Sequence, residues 1–178
     1  MTLDNFKEDV VYRKNQTIHN ILYMICWVFV VVFAMYASLL LQVVFMQFSL
    51  STILLLAASA AMAVFLFFKK DEFKVEYEYT FTNGSLDFAK VLRGARRKEL
   101  GSMNVANVAA CGHVAHQSFR KFLSQKDVEK KNWFLNRDGN LFYFYYVKDN
   151  KKHMIVIEPS EEMVSMIRKY AAVGAYQG

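Results

Sequence analysis

Two hydrophobic patterns divide the chain. From Asn15 to Phe68 there is no Lys, Arg, Asp or Glu, and most positions are apolar. From Phe73 onward apolar and polar residues alternate. A helix needs roughly 20 apolar residues to cross a hydrocarbon core, so the charge-free run is long enough for two crossings and a tight turn. The first crossing spans about residues 20–41 and the second 52–68. Gln42, Gln47, Ser49 and Ser51 are the only cluster of polar side chains between them and set the turn near residues 46–50. A cleaved signal peptide would have an apolar core of about 7–15 residues; the run from Ile18 to Phe48 is far longer. Ala34 and Ser38 on one helix, and Ala57 and Ala61 on the other, lie four apart. That spacing lets membrane helices approach closely, so these residues are the expected packing seam.

The period-two region begins with a strong strand. Phe73, Val75, Tyr77, Tyr79 and Phe81 alternate with Lys74, Glu76, Glu78, Thr80 and Thr82, the mark of a half-buried strand. Asn83-Gly84 is a hairpin turn, and Ser85 to Val91 returns. The basic turn 93–98 leads to short strands around Glu99-Leu100 and Val105 to Val108. Residues 112–131 lose the period and are expected to form a loop with some helical character. Strands resume at 132–135, 141–147 and 153–157, separated by turns at 136–140 and Asp149-Asn150. Pro159 ends the last strand. Ser160 is a natural helix N-cap and Glu161-Glu162 suits the positive helix start. Met163, Val164, Ile167 and Tyr170 then fall on one helical face.

These elements predict a membrane α-helical hairpin followed by an α+β domain. The order of about six or seven antiparallel strands and one amphipathic helix is that of a pleckstrin-homology-like (PH-like) barrel or sandwich, closed by the C-terminal helix. The expected boundaries are an N-terminal segment at 1–17, the hairpin at 18–69 and the PH-like domain at 70–178.

Charge adds orientation. The chain has 22 Lys+Arg and 16 Asp+Glu, a net +6. Residues 71–178 hold 17 and 13 of these, a net +4 by difference. Lys7, Arg13 and Lys14 precede the hairpin and Lys69 and Lys70 follow it, while the connecting turn is uncharged. Positive flanks stay inside. The expected location is therefore the cell membrane, with two crossings and both termini cytoplasmic. Cys26 and Cys111 are far apart and not expected to pair, which suits a reducing compartment.

The run Tyr77-x-Tyr79-Thr80-x-Thr82-Asn83-Gly84-x-Leu86, followed by Arg96-Arg97 and an Ile/Leu/Val-rich strand, resembles bacterial PH-like domains appended to membrane hairpins. With the Pro159-Ser160-x-Glu162 entry to the last helix, it more closely resembles a family of small membrane proteins from Gram-positive bacteria, domain of unknown function 6106. The resemblance spans most of the chain and rests on strand and turn patterns. It implies an architecture and carries no catalytic residue.

Candidate chemistry is sparse. Cys111-Gly112-His113-x-x-His116, with His153, is the only cluster of soft ligands, and it lacks the paired spacing of a zinc site. No Gly-x-Gly-x-x-Gly, phosphate-loop or Gly-x-Ser-x-Gly motif occurs. No catalytic residue, metal or cofactor is expected. The aromatic run 142–146 could stack bases, but a barrel wall explains it better, and nucleic acid is not an expected partner. The basic turn of Arg93, Arg96, Arg97 and Lys98 is the candidate site, for a lipid head group or phosphate. Cations beside an anionic bilayer contribute about 1 kcal/mol each. The expected function is a membrane-anchored PH-like interaction module that binds a partner protein or an anionic lipid surface without catalysis. The expected partners are membrane lipids and an unidentified membrane or cytoplasmic protein. An accessory subunit of a larger membrane complex is the alternative; a membrane-bound enzyme or nucleic-acid binder is a further one.

Overall fold

The computed structural model describes residues 5–178, which divide into two compact units. The first unit consists of the chain up to Lys14 together with Glu76–Val91 and Ala95–Gly178; the second consists of Asn15–Val75 and Leu92–Gly94.

The second unit is a helical hairpin. Helix α1 spans Gln16–Met46 and α2 spans Leu50–Lys69. Gln47, Phe48 and Ser49 join them, as the polar cluster predicted. Both helices are long and apolar enough to cross a membrane. At 1.5 Å per residue, α1 is longer than a ~30 Å hydrocarbon core. The face that packs is not the expected seam: Ala34, Ser38, Ala57 and Ala61 are all exposed. The protected positions of α1 include Cys26, Val30, Phe33, Ala37 and Leu40, and those of α2 include Leu56, Ser59, Ala63 and Leu66. Both rows step by three and four, the rhythm of helices packing along a shallow crossing. Val30 and Ser59 are the buried residue of each helix. A 3-10 turn at Lys70–Lys74 ends the hairpin.

The first unit is built from two sheets. The first has the order β1-β2-β3-β4, with β1 at Phe6–Val11, β2 at Val75–Thr82, β3 at Ser85–Leu92 and β4 at Arg96–Asn104. The second has the order β6-β8-β7-β5-β9, with β5 at Ala110–His113, β6 at Val128–Trp133, β7 at Phe142–Lys148, β8 at Lys151–Ile157 and β9 at Tyr176–Gln177. Helix α3 is Gln117–Leu123 and α4 is Glu161–Tyr170.

Three features differ from the sequence expectation. The N-terminal segment is not separate from the sheets: β1 pairs antiparallel with β2, Asp9 lying opposite Tyr79. The second sheet is mixed. β7 and β8 are antiparallel, but β6 runs parallel to β8 and β9 runs parallel to β5. The two sheets also do not join into a closed barrel, so β4 and β6 remain edges.

The apolar faces of both sheets meet in one core. Tyr79, Phe81 and Leu86 come from the first sheet, Phe144 and Ile157 from the second. Helix α4 adds Met163, Val164 and Ile167, the face its sequence spacing predicted. The Tyr79 hydroxyl donates to the Trp133 carbonyl and accepts from the Glu158 backbone N–H at 3.3 Å, linking the sheets inside the core. Burial raises its pKa well above the ordinary phenol value. The other face of the second sheet is covered by α3, whose Phe122 stacks on Tyr145 at 4.7 Å and whose Phe119 lies 5.3 Å from Tyr143.

The N-terminal strand is held by side chains as well as by the ladder. Asn136 is nearly buried; its amide donates to the Tyr12 carbonyl at 2.9 Å and its Oδ1 accepts from the Lys14 N–H at 2.9 Å. Glu158 in turn accepts from the Asn136 amide and backbone. Asn5 donates to the Tyr170 hydroxyl at 2.8 Å. Gly84, at φ +93, leaves room for that same tyrosine: a Cβ there would meet the ring at 2.8 Å.

Candidate interaction site

The basic turn connects β3 to β4. Its tip is Arg93-Gly94-Ala95, and both Arg93 (φ 58) and Gly94 (φ 63) are left-handed. That geometry suits Gly but is uncommon for Arg. The Arg93 N–H donates to the Lys74 carbonyl at 2.7 Å, which ties the turn to the end of the hairpin.

Around that bond sits a collar of aromatic rings and cations within the hairpin unit. The Tyr23 ring has Lys74 Nζ 4.5 Å from its centroid and the Arg93 guanidinium 5.9 Å from it. The Tyr23 hydroxyl accepts from Trp27 Nε1 at 2.8 Å. Lys70 is buried, with Nζ 3.0 Å from the Asp71 carboxylate, 4.0 Å from the Phe67 ring and 5.0 Å from Trp27. A cation over an aromatic face is stabilised by the ring quadrupole, so these rings fix where the positive charges stand. Lys69 is paired to Glu72 at 2.6 Å. Lys74 and Arg93 have no acidic partner among the described residues.

The other three predicted residues are not at the tip. Arg96, Arg97 and Lys98 are the first residues of β4, and all three are exposed. Arg97 Nε lies 3.1 Å from Glu78 of β2. Glu78 also repels Glu76, whose pKa is raised, first by burial and then by that neighbour. The structure therefore brings Arg93 to Tyr23 and Lys74, and places Arg96, Arg97 and Lys98 along an exposed edge strand. The period-two pattern places Lys74 on the polar side of a strand, and no spacing links it or Arg93 to Tyr23. The left-handed turn that joins Arg93 to them leaves no mark in the residue pattern beyond Gly94.

The soft-ligand cluster is dispersed. Cys111 is in the core, and burial pushes its thiol up to about 12. His113 Nδ1 is 2.9 Å from Asn140 Oδ1. His116 caps α3, accepting from the Ser118 N–H. His153 stacks on Tyr146 at 5.2 Å and lies 3.3 Å from Glu129. Among the described residues no group of three His, Cys, Asp or Glu is placed to hold a metal. Within the aromatic run, Phe142, Tyr143, Phe144 and Tyr145 are buried, two on each face of β7, so those rings offer no stacking platform.

Residues 3–176 match the family model described as bacterial PH-like domain (DUF6106), so the chain belongs to that family. No curated protein and no solved structure matches the chain.

Proposed function

We propose that this member of the bacterial PH-like family is a membrane-anchored interaction module without catalysis. In this reading its hairpin crosses the cell membrane twice, with both termini cytoplasmic, and its basic turn meets the anionic inner leaflet. The observation that carries it is the collar at the charged end of a charge-free hairpin. Lys74 and Arg93 flank Tyr23 there, beside Trp27 and Phe67. Aromatic rings belong at head-group depth, and unpaired cations at that depth find lipid phosphates. Each exposed cation contributes about 1 kcal/mol near an anionic surface; Arg97 contributes less, because Glu78 already holds it. Helix α4 completes the reading as the element that covers one end of the sandwich.

The test uses the full chain in nanodiscs. Ala95 is exposed in the basic turn, so a fluorophore on Ala95→Cys in a Cys26→Ala background reports its distance from a head-group quencher. Quenching should rise with anionic lipid and fall with salt, because exposed charges are screened over ~8 Å at physiological ionic strength. Replacing Arg93, Arg96, Arg97 and Lys98 by Gln should abolish both dependences while the fold survives. Quenching indifferent to lipid charge would refute the lipid contact.

A further inference from the structure

The two edges left by the open sandwich border a cleft of about 440 Å³. Its floor is apolar, with Trp133, Tyr146 and Ile155 of the second sheet and Phe88 and Leu100 of the first. Its rim carries Lys148, Asp149 and Lys151, and neither lysine makes an ion pair among the described residues. Glu129 is also on the rim but is already engaged by Lys131 at 3.2 Å and His153 at 3.3 Å. Its pKa is lowered, chiefly by the hydrogen bond from Lys131.

The two sides of this cleft present different surfaces. β6, β7 and β8 line it with alternate residues, such as Glu129, Lys131 and Trp133, as a sheet face does. β4 lines it with three successive residues, Leu100, Gly101 and Ser102. Gly101 has no side chain, so what it shows the space is backbone, and β4 is the edge of its sheet. An edge strand offers unpaired N–H and C=O groups to any strand that arrives. Gly101, at φ 149, has no side chain to obstruct it, and a Cβ there would stand 4.0 Å from the Trp133 ring. Glycine inside a strand marks a place where another backbone can approach.

We propose that this cleft receives an extended acidic peptide segment of a partner protein. The segment pairs with β4 by main-chain hydrogen bonds, seats an apolar side chain on Trp133 and Tyr146, and directs carboxylates to Lys148 and Lys151. Main-chain pairing gives such complexes their affinity and alternate side-chain pockets their specificity. Charge selects the guest. β4 opens with Arg96, Arg97 and Lys98 against the single Glu99, and the rim adds Lys148 and Lys151 against Asp149, so the cleft is basic on balance and a second copy of this chain would bring like charge against like. An acidic strand meets the opposite sign. The proposal shares Arg96, Arg97 and Lys98 with the lipid contact, but Lys148 and Lys151, through which it is tested, play no part in that contact.

The probe is a fluorescent octapeptide in which glutamate alternates with valine and phenylalanine; its twin has lysine for every glutamate. Both are titrated by anisotropy against the full chain in zwitterionic detergent. The acidic probe should bind at least about tenfold tighter than its twin, and Lys148→Gln with Lys151→Gln should erase about that factor. Both lysines are exposed, so that variant keeps its fold. Amide exchange should slow across residues 97–103 when the acidic probe is bound. Equal binding of both probes, or of neither, overturns the proposal. So does protection confined to β7 and β8, or protection reproduced by decanoate alone, either of which would assign the cleft to a small amphiphile.

Discussion

Asp9 accepts two hydrogen bonds from Ser160, one from the backbone N–H at 2.7 Å and one from the hydroxyl at 3.0 Å. The Ser160 hydroxyl also accepts from the Met163 N–H at 3.2 Å, so one side chain caps α4 and tethers β1 to it. Lys7 pairs with Glu162, two residues further along. A strand before the hairpin and a helix near the other end of the chain are thereby fixed to each other within the sheet unit.

Loss of a serine cap costs about 1 kcal/mol. Ser160→Ala should lower stability by at least that, because the Asp9 carboxylate loses a donor too. Asp9→Ala should destabilise as well, and the double variant should show a coupling of roughly 0.5 kcal/mol or more. Thermal melts of the full chain in detergent, followed by circular dichroism, measure this. Strictly additive losses would mean that the two residues act separately.

The residue pattern starts the sheet domain at residue 70, without the N-terminal strand, and the reason lies in Phe6–Val11 itself. Lys7, Glu8 and Asp9 give that stretch little hydrophobic contrast, and its partner lies some seventy positions downstream, beyond the hairpin. Val128 to Lys131 is illegible for the same cause: an edge strand can be polar, and only its pairing with β8 makes it a strand. By contrast Val75–Thr82, its Asn83-Gly84 turn and the capped helix α4 were legible, since each carries its own local period or cap. Parallel pairings such as β6 with β8 leave no local signal.

Breaking the buried Lys70–Asp71 pair should be costly. Removing one partner of a buried pair destabilises by roughly 3–5 kcal/mol, because the other charge remains buried. Lys70→Ala should therefore loosen the end of the hairpin, and Lys70→Met with Asp71→Ala together should be milder than Lys70→Ala alone. Melting in detergent, followed by Trp27 fluorescence in a Trp133→Phe background, reads the change. A double variant worse than both singles would contradict the pairing.

The hairpin seam and the basic turn show what composition leaves open. Small residues at Ala34, Ser38, Ala57 and Ala61 marked a face on which two helices could pack, but the rotation of each helix is set by the whole three-four row. That row runs through Val30 and Ser59. The four cations were legible as a run. Their division between a turn tip and an edge strand depends on the left-handed Arg93 and on the Arg97–Glu78 pair.

Cys111 should be chemically silent in the folded chain. Burial raises its thiol from an ordinary value near 9.0 to about 12. The folded thiol therefore keeps its proton where the unfolded one loses it. Stability from this group is unchanged below about pH 9 and falls as pH rises from there toward 12, since the unfolded state binds fewer protons. In a Cys26→Ala background, iodoacetamide at pH 8 should modify the native protein ~100-fold more slowly than the urea-unfolded chain. Comparable rates would place the thiol outside the core.

The side of the membrane on which the hairpin turn and the sheet unit lie can be read by thiol labelling. In a chain with Cys26→Ala and Cys111→Ala, single cysteines are placed at Ser49, in the hairpin turn, and at Val173, which is fully exposed beyond α4. Intact cells are treated with a membrane-impermeant thiol reagent, then lysed and treated again. With both termini cytoplasmic, Ser49→Cys reacts before lysis and Val173→Cys only after it. Reaction of Val173→Cys in intact cells, with Ser49→Cys protected, would contradict that topology.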